Sequence, residues 1–160
     1  MRIIKLLDKD QPAWRYILKS ALLSSVGAIV INLAVIIVVL AQAGCVQKSE
    51  LSVKVLITSI LAAPMFETLL MIPVFWILRI LHVKRVALIV CSAVIWSCYH
   101  VYFNGLNSGL ISFWPFLILS NCYLTFEVTS RSEAYARTYF VHTIHNIMAC
   151  LYEWGFSQFL

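Results

Sequence analysis

Apolar residues run along this chain in five stretches, roughly 18–43, 53–80, 86–103, 110–128 and 131–154, separated by short joints such as "HVKR" and "TSRSEAYAR". A helix needs about twenty mainly apolar residues to cross a hydrocarbon core. The expected fold is therefore all-α: a polytopic transmembrane helix bundle of about five spans, forming one integral membrane domain over residues 1–160. Ahead of the first span, residues 1–17 set Ile3, Ile4, Leu6 and Leu7 beside Arg2, Lys5 and Lys9, as an interfacial amphipathic segment does.

Composition supports this reading. The 160 residues are 62% hydrophobic and 12% charged, with mean hydropathy +0.90, whereas soluble domains are nearer 45–50% apolar. No polar stretch is long enough to form a soluble domain, so any chemistry belongs to the spans and their short loops. The five cysteines show no zinc or redox spacing, and Cys91, Cys98, Cys122 and Cys150 fall inside spans as small core residues. Cys45 follows "LAQAG", but Gln42 stands where a lipoprotein cleavage site wants Leu, so the first helix is expected to stay uncleaved.

Charge fixes the expected orientation. Five crossings put the N-terminus, "HVKR" and "TSRSEAYAR" on one face, and residues 44–52, 104–109 and the C-terminus on the other. The first face carries Arg2, Lys5, Lys9, Arg15, Lys19, Arg79, Lys84, Arg85, Arg131 and Arg137, the second only Lys48 and Lys54. The positive-inside rule makes the first face, with the N-terminus, cytoplasmic and places the C-terminus opposite. The net charge of +5 is thus matched to anionic membrane lipids rather than to nucleic acid.

Against this apolar background a few polar residues stand out. "AAPMFETLL" places Glu67 inside the second run, where a charge costs roughly 2.5–3.5 kcal/mol on insertion scales. The third run carries His100 in "WSCYH", and the fifth carries His142, His145 and Asn146 in "HTIHN". Counted from the turn at residues 80–86, Glu67 and His100 both lie about 20 Å deep at ~1.5 Å per residue. Ser130 and Glu133 form an S-x-x-E capping box that starts the fifth helix near Arg131, so His142 and Asn146 fall about 16 and 22 Å in. They share a face at i and i+4, with His145 rotated ~60° from His142. Pro64 and Pro73 are expected to free the carbonyls of Ile60 and Leu69 around Glu67. Asn32, Asn121 and His82 have no such company, Glu127 and Glu153 lie near span ends where they can snorkel, and all five are read as structural.

Together "APMFETLL", "WSCYH" and "HTIHN" resemble the motifs of the CAAX protease and bacteriocin-processing (CPBP) family, glutamic-type intramembrane proteases related to the Ras-converting CAAX endopeptidase. Ala63, Pro64 and Glu67 match the family's Ala-Pro-x-x-Glu-Glu-x-x-Phe-Arg segment; Trp96 and His100 stand at its Phe-x-x-x-His; His142 and Asn146 match His-x-x-x-Asn. Thr68 replaces the second Glu, Met71 the Phe and Ile72 the Arg.

The resemblance implies a metal-independent endopeptidase of a bacterial inner membrane, cleaving a peptide or lipidated peptide at the membrane, in bacteriocin processing or self-immunity. Glu67, helped by His100, would activate water, and His142 and Asn146 would hold the oxyanion. Thr68, His145 and Trp96 are accessory candidates, and no cofactor or metal is called for. A metal site of Glu67, His100, His142 and His145 is the weaker alternative, because His142 and His145 diverge on the helical wheel. The competing function is a non-catalytic membrane protein or partner subunit in which the same residues form a structural or proton-relay network.

Overall fold

A computed structural model describes residues 10–40 and 56–157. Every regular element among them is helical: α1 (Ala13–Leu40), α2 (Ala63–Ile80), α3 (Arg85–Asn104), α4 (Leu106–Phe126) and α5 (Arg131–Ser157), with a π-helical turn, Thr58–Ala62, leading directly into α2. The stretches Ala13–Ile37, Thr58–Ile80, Arg85–Asn104 and Leu106–Phe126 are long and apolar enough to cross a membrane. The chain is an integral membrane protein. At 27 residues α5 is also long enough, but its histidines, Asn146 and charged residues make it less apolar than the other four. It packs on α1, α2 and α4, which gives those polar groups an interior to face.

The first helix starts earlier than expected. Pro12 stands at its entrance and its carbonyl accepts from the N–H groups of Arg15 and Tyr16, a position where proline's missing N–H is harmless. Residues 13–17 of the expected interfacial segment are thus the first turn of α1, and Tyr16 is fully buried. Residues 1–9 and the joint carrying Cys45, Lys48 and Lys54 lie outside the described residues. The expected loop at 104–109 contracts to Gly105, whose φ of 87° reverses the chain between α3 and α4. A Cβ on Gly109 would lie 2.8 Å from the Ser97 carbonyl oxygen, and Ser97 Oγ donates to the Gly109 carbonyl at 2.6 Å, so the two helices meet almost backbone to backbone there.

The centre of the bundle is α4. Of its best membrane-crossing window 61% is buried, against 22–28% for the other three, as its all-round apolar sequence requires. Tyr123 stacks on Phe75 of α2, Phe126 meets Tyr16 of α1 edge-on, and Phe116 stacks on Trp96 of α3. Elsewhere the helices show large apolar side chains to the outside, among them Trp76, Ile77, Leu81, Val30 and Ile37, as lipid-facing surfaces do.

One end of the bundle gathers the described cationic residues. Arg79, at the end of α2, pairs through both terminal nitrogens with Glu127; Arg85 donates to the Leu124 carbonyl at 2.8 Å and to Thr125 Oγ1 at 3.0 Å; Arg137 lies over the Phe126 ring. The turn after α2, the joint between α4 and α5 and the start of α1 are therefore neighbours. His82 takes the left-handed conformation in that turn, with φ 55°. The capping box is half formed: the Glu133 N–H reaches Ser130 Oγ at 3.4 Å, whereas the Glu133 carboxylate turns forward to Arg137.

Candidate functional site

Three helices deliver the predicted polar residues to one place. The Glu67 carboxylate of α2 lies between two imidazoles: His142 Nε2 of α5 is 3.4 Å from one oxygen, and His100 Nε2 of α3 is 3.9 Å from the other. All three are sheltered, with side-chain exposures of 15% for Glu67, 19% for His100 and 4% for His142. Both separations exceed an ordinary charged hydrogen bond, which leaves the inner atoms able to hold a third group. His100 Nε2 and His142 Nδ1 are buried with no hydrogen-bond partner. A proton on Nε2 of each ring would face the carboxylate, the tautomer that the geometry favours.

Glu67, His100, His142, His145 and Asn146 all line one cavity of about 340 Å³, together with Phe116. The helix before Glu67 is irregular, and Ser59 and Ala63 of that irregular stretch line the cavity too. In the π-helical turn, Ala63 N–H bonds to the Thr58 carbonyl five residues back. The next bond of that series would run from residue 64 to Ser59, and Pro64 has no N–H. In that register Pro64 cannot donate to the Ser59 carbonyl, and Asn146 Nδ2 of α5 donates to it instead at 2.7 Å. Asn146 thus spends one amide hydrogen on tying α5 to the π-helical turn ahead of α2 and keeps a second.

His145 turns the other way. Its Nδ1 lies 3.2 Å from both Ser24 Oγ and Ser25 Oγ of α1, so it reaches the cavity wall while anchored to a different helix, consistent with its rotation from His142. Thr68 is fully buried, its hydroxyl without a hydrogen-bond partner. It points into packed protein and does not line the cavity with Glu67. Trp96 sits one layer out: its ring stacks on Phe116 with centroids 4.9 Å apart, and Phe116 meets both His100 and His142 at 5.7 Å.

Phe116 is the site residue that the sequence pattern misses. It touches both imidazoles and carries the Trp96 stack, yet nothing distinguishes it from the other aromatics of α4. Ser24 and Ser25 are missed for a similar reason, since small polar residues in a span carry no positional signal of their own. Among the described residues, no group of three or more His, Cys, Asp or Glu side chains is arranged to hold a metal ion. Set against family models, curated proteins and solved structures, the chain finds no match.

Proposed function

We propose that the chain is a metal-independent intramembrane endopeptidase in which Glu67 is the general base. The observation that carries this reading is the placement of one intramembrane carboxylate between His100 and His142, at 3.9 and 3.4 Å, on the wall of a cavity large enough for a peptide segment. A carboxylate serving only to join helices would be expected to close hydrogen bonds with its neighbours. Here both imidazoles stay beyond ordinary charged hydrogen-bond length, and the carboxylate lines a cavity.

The reaction follows from these atoms. A water held by Glu67 and His100 gives a proton to the carboxylate while its oxygen attacks the substrate carbonyl carbon. The resulting oxyanion accepts from His142 and from the second amide hydrogen of Asn146. As the C–N bond breaks, the proton on Glu67 passes to the departing nitrogen, leaving a carboxylic acid and an amine. Phe116 keeps both imidazoles in register, and Trp96 keeps Phe116. The basic end of the bundle, by the positive-inside rule, faces the cytoplasm of a bacterial cell, with anionic lipid around it. The family resemblance of the three motifs supports a peptide or lipidated-peptide substrate, with bacteriocin processing or self-immunity as the setting.

The test is purified protein in liposomes, incubated with a peptide library in the presence of a strong chelator and read by mass spectrometry. Cleavage products that disappear with Glu67→Gln, while the folded fraction stays the same, are the expected result. Products equally abundant with Glu67→Gln overturn it, as does cleavage that chelator abolishes and zinc restores.

A further inference from the structure

A second, smaller cavity of about 90 Å³ lies beside the first, between α1 and α5, and His145 stands in the wall of both. Its lining includes Ser25, Asn32, Ala149 and Glu153. Ser25 is buried at the His145 end, Asn32 is partly buried, and Glu153 is exposed. The polar groups therefore form a graded series along the two helices. Asn32 is seven residues beyond Ser25 on α1 and Glu153 eight beyond His145 on α5, so the cavity extends ~10–12 Å from the histidine at about 1.5 Å per residue. It runs away from the end that gathers Arg79, Arg85 and Arg137.

Size and lining decide what this space can hold. It is too small for a peptide backbone with its side chains, but it has ample room for water, which needs about 10–15 Å³ and two to four polar partners. Ser25, Asn32, His145 and Glu153 supply such partners at successive depths. A peptide filling the larger cavity would displace the water that the proposed hydrolysis consumes. A separate entrance removes that conflict.

We infer that the α1–α5 cavity is a water port, admitting water from the Glu153 end of the bundle past His145 to Glu67 while substrate occupies the larger cavity. This rests on the hydrolase reading for its purpose but not for its existence, and the two are tested separately. Ser24 and Ser25 hold the His145 ring where the two cavities meet.

The port is tested in a cysteine-free background with Ser25→Cys as reporter and a small, charged thiosulfonate as probe. Labelling at least tenfold faster than at Ala21→Cys, a fully buried position on the same helix, is expected. Adding Ala149→Phe should slow it at least tenfold, whereas Ile147→Phe on the exposed side of α5 should not. Equal labelling at positions 25 and 21, or indifference to Ala149→Phe, overturns the port. The unsubstituted protein gives a second measurement: hydroxyl-radical footprinting should modify His145 well above the fully buried Tyr16 and Tyr123, and parity among the three overturns the port too. In the peptide assay Ala149→Phe should lower kcat at least fivefold with KM unchanged. A KM effect alone would assign the cavity to substrate and overturn its role as a water route. Rapid, plug-sensitive labelling in a protein that cleaves nothing would leave the port standing and remove the hydrolase.

Discussion

Asn146 on α5 donates to the carbonyl of Ser59 in the π-helical turn, five residues before Pro64, which has no N–H to offer it. An irregularity on one helix is thus met by a side chain from another, and Ser59 and Asn146 both line the cavity beside Glu67. Interhelical hydrogen bonds in membrane proteins average about 0.6 kcal/mol and reach roughly 1.7. Asn146→Ala should accordingly destabilise the bundle by about 1 kcal/mol. Pro64→Ala returns an N–H that can take the Ser59 carbonyl, so in that background Asn146→Ala should cost close to nothing. A double-mutant cycle in a reversible detergent unfolding assay measures the coupling; additivity would show that the two residues do not share this carbonyl.

Thr68 gives an expectation of opposite sign. Its buried hydroxyl makes no hydrogen bond, so Thr68→Val, which keeps the shape and removes the polar group, should be neutral or stabilising by up to about 1 kcal/mol. Thr68→Glu, which supplies the second carboxylate of the family motif, would put a charge into packed protein. It should destabilise by roughly 2.5–3.5 kcal/mol or prevent insertion. Membrane yield and thermal unfolding of the two variants check both statements. A well-folded Thr68→Glu protein would mean that the cavity extends to this residue.

His145 is held by two serines at the same 3.2 Å distance. Either Ser24→Ala or Ser25→Ala alone should therefore change stability by less than about 0.5 kcal/mol, while the double substitution should cost more than the sum. His145→Ala should reduce the amount of folded protein, yet leave cleavage per folded molecule within about threefold of the starting value. Quantitative size-exclusion chromatography set beside turnover separates the two effects.

Much of this arrangement was legible in the chain because depth in a membrane is a matter of counting. Glu67, His100 and His142 come together because each is a fixed number of residues from a shared turn or cap, and helices convert residue number into distance. The run of apolar residues located α3, α4 and the end of α2 to within a few residues, while the π-helical turn Thr58–Ala62 takes up part of the run ahead of α2. Ordinary α-helical spacing points from Pro64 to the Ile60 carbonyl; that Asn146 meets the Ser59 carbonyl was not legible, because a π-turn has no signature in hydropathy. Phe116 was illegible for a different reason: its neighbours come from α3 and α5, and an aromatic in an apolar helix looks the same whether it faces lipid or imidazole. The start of α1 at Ala13 was obscured by the polar residues around Pro12, which read as interface although Tyr16 is buried.

The orientation of the bundle can be checked apart from its chemistry. Arg79, Lys84, Arg85, Arg131 and Arg137 cluster at one end, so reporter fusions should place that end in the cytoplasm and the C-terminus across the membrane. A C-terminal alkaline phosphatase fusion should be active and a green fluorescent fusion dark. The reverse pattern would mean that α5, the least apolar helix, does not cross.

The central claim is that Glu67, His100 and His142 act as one hydrolytic unit, and the turnover number per folded molecule tests it most directly. Cleavage rates of a single identified peptide should be measured in liposomes for Glu67→Gln, His100→Ala and His142→Ala, with Thr68→Val and His145→Ala beside them, each normalised to folded protein. The three site variants should each lose at least about 10²-fold, as the removal of one oxyanion donor typically costs. Because groups that act as a unit are not additive, Glu67→Gln combined with His142→Ala should be little worse than Glu67→Gln alone. The two comparison variants should remain within about threefold of the unsubstituted protein. Losses at Glu67, His100 and His142 that merely follow the folded amount, with turnover per molecule unchanged, would contradict the account and make the three residues a packing network.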